Sequence, residues 1–321
     1  MNVSQYHRGM DYPRSASPSV LANTATALVI ATRPKQWTKN LLVYLALFFT
    51  VEETWSPGDL DSLMPLLGRT TLAFVIFSAL SGAMYLVNDI IDVERDRLHP
   101  RKRLRPIASD QLPAPVAWGA GLALMAGGLG SAFVLEPLFG VTSVAYAATM
   151  VVYTFVLKRI VLVDVFAISA GFVFRAVAGA AVLQVPISPW LYICTGLGAL
   201  FIALSKRKCE LALAGDAAAG QRDTLDWYTQ SLLDQLIAVV ATSVVLTYGL
   251  YTFTAENLPD NHSMMVTIPF VVYAVFRYMY LVHTRHLGEN PEDIIISDVP
   301  LIAAVLAWLA TAGTILVIYR V

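Results

Sequence analysis

The sequence predicts an all-α polytopic membrane protein with nine transmembrane helices, and three observations carry that prediction. Of 321 residues, 57% are hydrophobic and only 14% charged, where a soluble protein holds about 25% charged residues. The apolar residues fall in long runs without period-two alternation, so helices rather than a barrel are the spanning elements. The stretches between runs alternate between strongly basic and acidic.

Residues 1–23 are polar, contain Pro13, Pro18 and several serines, and lack the apolar core of a signal peptide. They read as a flexible cytoplasmic tail before a single transmembrane domain over 24–321. Nine apolar segments follow, near 34–52, 66–91, 114–135, 138–157, 161–183, 188–205, 229–254, 264–284 and 299–319. Most reach the ~20 residues that cross ~30 Å of hydrocarbon. The first is the weakest. It is purely apolar only from Leu41 to Val51, so Pro34 to Asn40 must form a polar opening turn, with proline at a position that suits it. No repeat or low-complexity segment is present. Cys194 and Cys209 have neither a zinc spacing nor the setting of a disulfide.

Charge sets the topology. Arg8, Arg14, Arg33, Lys35 and Lys39 precede or open the first segment. Arg95, Arg97, Arg101, Lys102, Arg103 and Arg105 follow the second, Lys158 and Arg159 the fourth, Lys206, Arg207, Lys208 and Arg222 the sixth, and Arg285 the eighth. The opposite side holds only Arg69 and Arg320 among its basic residues, with Glu52, Glu53, Asp59, Asp61, Glu136, Glu256 and Asp260. The positive-inside rule then places the N-terminus and the basic loops in the cytoplasm, and the C-terminus outside, in a bacterial-type inner membrane.

The stretch NDIIDVERD, Asn88–Asp96, puts Asn88, Asp92 and Asp96 at i, i+4 and i+8. On a helix they share one face, about 6 Å apart along the axis, and Asp89 borders that face. Such carboxylates repel unless a cation lies among them. Hard oxygen ligands, few in number, suit Mg²⁺ that keeps waters and a substrate phosphate. The competing reading is a solvated helix end whose acids pair with Arg95 and Arg97. HPRKRLRPI follows at once, with Arg101, Lys102, Arg103 and Arg105. A basic loop of this kind also arises from topology or from anionic lipid heads. Acids beside basic forks, however, are what a metal diphosphate requires.

NDIIDVERD followed by RPI resembles the first aspartate-rich motif of the UbiA superfamily of intramembrane prenyltransferases. RPKQWTKN at Arg33–Asn40 and YTFVLKR at Tyr153–Arg159 extend the resemblance over nearly the whole chain. It implies nine helices around a central cavity, capped by cytoplasmic loops that bind a magnesium diphosphate. Ordinary members carry a second acidic cluster after helix six. Here that loop reads SKRKCELALAGDAAAGQRDTLDWYTQ, opening with Lys206, Arg207, Lys208 and Glu210, with Asp223 and Asp226 far along it. KRKCEL, with VLKRIVLVDVFAISAGFVFRAVAGA, is similar to the decaprenyl-phosphate phosphoribosyltransferase branch. That branch joins phosphoribosyl diphosphate to a polyprenyl phosphate, a step towards lipid-linked arabinose.

The resemblance implies Mg²⁺ as cofactor, held by Asn88, Asp89, Asp92 and Asp96. It implies Asp92, Asp96 and Asp164 as catalytic residues. Lys35, Asn40, Arg101, Arg103, Arg105, Tyr153, Lys158, Arg159, Arg175, Lys206, Arg207 and Glu210 are expected at the substrates. Asp164 and Arg175 lie inside an apolar segment, where a charge is a functional hypothesis by default. Eleven residues, or ~16 Å of helix, keep them from pairing directly. Arg277 reads as structural. His99, His262, His283 and His286 show no metal spacing, and Trp37 and Trp227 read as interface anchors. Membrane lipids are further partners, a homo-oligomer is left open, and no nucleic acid is expected. Two rivals stand: a UbiA-type prenyltransferase with an aromatic acceptor, and a non-catalytic anion transporter, which broken midplane helices would favour.

Overall fold

A computed structural model describes residues 18–99, 101–186, 188–214, 224–285 and 291–320. Helix α1 (Pro18–Ala31) begins inside the expected tail, so residues 18–23 are helical. Residues 1–17 lie outside the described residues, as do Arg222, Asp223 and His286. Seven helices among the described residues are long and apolar enough to span a bilayer, which makes the chain a multi-pass membrane protein. They are α3 (Leu60–Ile91), α5 (Ala114–Leu135), α6 (Pro137–Phe155), α7 (Val163–Leu183), α9 (Gln230–Thr254), α10 (Ile268–Arg285, with the turn before it) and α12 (Val299–Tyr319). Helix α8 (Pro189–Ala214) is of similar length and packs between α7 and α9. Three short helices complete the set: α2 (Leu45–Phe49), α4 (Val93–Leu98) and α11 (Pro291–Ser297).

The first expected span departs from a simple helix. Pro34–Tyr44 is an eleven-residue 3₁₀ helix, and only Leu45–Phe49 continues as α. A 3₁₀ helix stacks every third residue on one line, and here that line is Trp37, Asn40 and Val43. Asn40 and Val43 are fully buried. The tight winding lets the segment press against α7 at Gly179, where an added Cβ would lie 2.0 Å from the carbonyl oxygen of Val43.

Successive helices pack as neighbours along the chain, α3 on α5, α5 on α6, α6 on α7, α7 on α8 and α8 on α9. Helix α7 also touches α2, α3 and the 3₁₀ segment, so it stands at the centre. Its inner face is small, with Ala176, Ala178, Gly179, Ala180 and Ala181 buried. Small residues allow close helix approach where lipid gives no hydrophobic drive. Helix α5 is peripheral and exposes Leu122, Phe133 and Val134 to the lipid side. This arrangement gathers the start of the 3₁₀ segment, the ends of α3, α6 and α8, and the starts of α7 and α9 at one end of the bundle.

Candidate active site

Helix α3 ends at Ile91, and Asp92 serves as both its C-cap and the N-cap of α4. The break does not disturb the ladder. The Asp92 N–H donates to the Asn88 carbonyl (2.9 Å), and the Asp96 N–H to the Asp92 carbonyl (2.8 Å). Asn88, Asp92 and Asp96 thus keep the helical register that the i, i+4, i+8 spacing predicts.

Each carboxylate is held by a cation from elsewhere in the chain. Asp89, 2% exposed, accepts from Arg33 Nη2 (2.5 Å) and Arg105 Nη1 (3.1 Å). The same Arg105 nitrogen donates to Asp96 Oδ2 at 2.5 Å. Lys158 Nζ reaches both oxygens of Asp92, at 2.7 and 2.9 Å. Arg33 stacks over the Tyr85 ring, 4.7 Å from its centroid. Its backbone is left-handed, φ 55°. That conformation is uncommon for a residue with a side chain, and it turns the chain into the 3₁₀ helix.

Arg97, one of the two arginines of the competing surface reading, takes no part in this cluster. Arg97 donates instead to Glu94, to Asp110 and to the Ala108 carbonyl. Arg33 and Lys158 come from 56 and 66 residues away, so only the assembled fold can place them.

A second centre lies at the start of α7. Asp164 is fully buried in the first turn, where the helix dipole favours a carboxylate. Arg207 Nε donates to one oxygen (3.0 Å) and the Tyr228 hydroxyl to the other (3.1 Å). Tyr228 in turn accepts from the Leu162 N–H (2.9 Å). Burial pushes the Tyr228 phenol up to about 12, so it remains the donor. Arg207 also binds Glu210 through Nη1.

Asn40 and Arg175, expected at the substrates, meet in a third network, deeper in the bundle. Arg175 Nε donates to Asn40 Oδ1 at 2.7 Å, and both residues are buried. Lys35, Arg101, Arg103 and Arg159 are exposed, while Tyr153 and Lys206 are half-buried. Lys208 is a tie between helices, with Nζ 2.5 Å from Asp234 Oδ1. Arg277 is the structural residue anticipated: its fork binds Asp298, the N-cap of α12, at 3.0 and 2.8 Å.

Sequence reading underrated Arg33 and gave no role to Tyr85 or Tyr228. Arg33 opens RPKQWTKN, which was its signal. Tyr228 had none, because its partner lies 64 residues away. The residues expected to hold Mg²⁺ lie around the break between α3 and α4. Among the described residues no three acidic, histidine or cysteine side chains converge as a ready metal cage. The guanidinium of Arg105 stands between Asp89 and Asp96 instead. Asn88, Asp92 and Asp96 on the ladder, with Asp89 beside it, nevertheless offer hard oxygen donors, the donor type Mg²⁺ takes.

A cavity of about 760 Å³ lies at the far end of the bundle. Phe49, Trp190, Tyr248, Tyr251 and Trp308 line it, with Glu53 and Glu256, and none of the acidic ladder takes part.

Residues 40–296 match the model of the UbiA prenyltransferase family. The chain is 37% identical over 292 residues to the decaprenyl-phosphate phosphoribosyltransferase of Mycobacterium tuberculosis, covering 91% of this chain and 95% of that one. It is 34% identical over 300 residues to the protein of the same name from Mycolicibacterium smegmatis, covering 91% and 92%. A UbiA homolog from Archaeoglobus fulgidus, solved with GPP and Mg²⁺, superimposes with a TM-score of 0.68 at 17% identity, over 91% of this chain and 99% of that one. The last likeness shows the fold; the first two, with the family match, decide the kinship. The chain belongs to the UbiA prenyltransferase family.

Proposed function

We propose that this protein transfers the 5-phosphoribosyl group from phosphoribosyl diphosphate to a long polyprenyl phosphate, releasing diphosphate. One observation carries the reading: the carboxylates of Asp89, Asp92 and Asp96 are matched by Arg33, Arg105 and Lys158, while at the second centre Asp164 and Glu210 are both tied to Arg207. A prenyl diphosphate site of the ordinary kind would need a second acidic cluster there, and among the described residues none converges. The identity to proteins named for phosphoribosyl transfer supports the same choice.

The residues divide the work. Asn88, Asp89, Asp92 and Asp96 would hold Mg²⁺, which when bound offsets the charge of the leaving diphosphate. The phosphate oxygens of the donor would draw Lys158, Arg33 and Arg105 off their carboxylates, freeing those carboxylates as ligands. Asp164, fixed between Arg207 and Tyr228, would face the ribose, where positive charge builds as diphosphate departs. The acceptor is already an anion, so no strong base is needed, and positioning with electrostatics supplies most of the acceleration. Lys35, Arg101, Arg103, Arg159 and Lys206 supply basic groups for the donor's second phosphate. The site faces the cytoplasm in this reading, and the acceptor's tail lies among the helices.

The test uses purified protein in lipid nanodiscs. Radiolabelled phosphoribosyl diphosphate is offered with decaprenyl phosphate, and in a separate reaction labelled prenyl diphosphate with 4-hydroxybenzoate. Label moving into lipid only in the first reaction supports the proposal. Product only in the second moves the protein to prenyl transfer, and product in neither removes both.

A further inference from the structure

Arg175 is a cation buried among neutral partners. It sits midway along α7, 5% exposed, and among the described residues no carboxylate lies within ion-pair reach of it. A buried charge without an opposite charge is destabilising, and more so inside a membrane. A neutral residue would avoid that cost, so the guanidinium must supply something a neutral side chain cannot.

What it supplies is a three-way fork. Nε donates to Asn40 Oδ1 (2.7 Å), Nη1 to the Gly171 carbonyl (2.6 Å) and Nη2 to the Tyr146 hydroxyl (3.1 Å). The Tyr146 ring lies under the guanidinium, 4.9 Å away. A rigid planar fork sends its donors from three separate nitrogens to partners this far apart; the three donors of an ammonium leave from a single atom, and an amide has only two. Asn40 is fixed on both sides as a result. Its oxygen accepts from Arg175 and from Ser81 (3.4 Å), and its Nδ2 donates to Ser78 (3.0 Å).

Asn40 is also a residue of the 3₁₀ helix. An eleven-residue 3₁₀ helix far exceeds the usual three or four residues. It therefore depends on holds from outside, and α7 provides two: Arg175 on Asn40, and Gly179 against the Val43 carbonyl. Seven residues before Asn40, about 14 Å along a 3₁₀ axis, stands Arg33. Arg33 combines a left-handed backbone with a 2.5 Å contact to Asp89. A strained residue keeps its conformation only when its surroundings over-determine it. Helix α7 also carries Asp164 in its first turn. One helix thus sets the registers of both Asp164 and the segment that ends in Arg33.

We propose that Arg175 is a positioning residue: through Asn40 and the 3₁₀ helix it holds Arg33 where Arg33 meets the donor diphosphate. The role for the diphosphate rests on the function proposed above; the mechanical link does not.

Two measurements test it. The first is steady-state kinetics with phosphoribosyl diphosphate on Arg175→Gln, Asn40→Ala, Arg33→Ala and the doubles with Arg33→Ala. The single variants at 175 and 40 are expected to raise KM for the donor by about tenfold with a smaller change in kcat, and to add nothing once Arg33 is gone. Arg175→Lys is expected to behave like the glutamine variant, because the fork and not the charge is needed. Effects that multiply in the doubles, or full rescue by lysine, would overturn the proposal. The second measurement needs no turnover. Lys35→Cys, in a chain whose two native cysteines are serine, reports the exposed outer part of the segment by its rate of thiol labelling. Arg175→Gln, or Ser78→Ala if the former folds poorly, should change that rate several-fold; an unchanged rate removes the link. Absence of phosphoribosyl transfer by the unaltered protein, with the labelling result intact, would count against the function and not the link.

Discussion

Lys158 Nζ lies 2.7 and 2.9 Å from the two oxygens of Asp92, a residue 66 positions earlier in the chain. The pair joins the turn after α6 to the break between α3 and α4. Lys158 is 10% exposed at its side chain and Asp92 23%, so neither is a solvated surface charge. In the proposed function Asp92 would hold Mg²⁺, and Lys158 is its ion-pair partner within the chain. The donor would then exchange partners: diphosphate for the lysine, Mg²⁺ for the aspartate.

Asp92→Asn tests that exchange. The amide keeps the shape and the cap but cannot neutralise a divalent cation. We expect kcat for phosphoribosyl transfer to fall by about 10²–10³, on the scale of losing a group that acts on transition-state charge. The protein should still fold, with unchanged yield and detergent elution. Chelation of divalent cations should silence the unaltered protein to a similar depth, and added Mg²⁺ should restore it. Near-normal turnover in the variant would remove Asp92 from the metal site.

Arg207 and Asp164 should separate stability from catalysis. Both side chains are buried, at 1% and 0% exposure. Removing the arginine alone leaves a carboxylate buried without its cation, which costs about 3–5 kcal/mol in comparable pairs. Arg207→Ala is therefore expected to lower the thermal midpoint sharply. Arg207→Ala with Asp164→Asn should recover much of the loss in midpoint and none of the activity. Lys206→Ala, half-buried one residue earlier, should raise KM for the donor and leave the midpoint unchanged; an unaltered KM would place Lys206 outside the site.

The helices were legible because hydropathy is a local property, and a run of twenty apolar residues needs no partner to be recognised. NDIIDVERD was legible for a related reason, since its spacing is set by the helix that bears it. The 3₁₀ winding of Pro34–Tyr44 was not. It follows from contact with Gly179 and Arg175, more than 130 residues away, and no local pattern in the segment specifies it. Arg175 illustrates the same limit. A charge in an apolar run signals importance, yet the sequence places it eleven residues from Asp164 without saying that it turns to Asn40. Tyr228 is one polar residue in an acidic loop, and its hydroxyl gains its role only by meeting the fully buried Asp164, 64 residues earlier.

Tyr228 gives the site a signature at high pH. Burial raises its phenol from 10.0 to about 12. A group whose pKa is higher when folded contributes stability below its unfolded value, and that contribution is lost as pH rises through the folded value. The unaltered protein should hold its thermal midpoint up to about pH 10 and lose part of it between pH 10 and 12. Tyr228→Phe removes both the donor to Asp164 and the titration, so its midpoint should start lower and lose less over that interval. Parallel curves for the two proteins would show that the phenol does not titrate with folding.

Gly179→Ala tests the tightest glycine contact among the described residues. The new methyl would lie 2.0 Å from the Val43 oxygen and 2.8 Å from its carbonyl carbon. Neither atom belongs to a side chain that can rotate away, so α7 and the 3₁₀ helix must separate. Overpacking of this kind costs about 1–3 kcal/mol where side chains can adjust, and more where they cannot. The neighbouring glycines distinguish this from a general effect of helix glycines. Gly198, on α8, meets nothing within 4 Å of an added Cβ, and alanine there should be neutral or slightly stabilising. A lowered midpoint for Gly179→Ala beside an unchanged one for Gly198→Ala is the expected result. The tolerated form of Gly179→Ala, if recovered in lipid at reduced temperature, should also show a raised donor KM, since the displaced segment carries Arg33 away from Asp89.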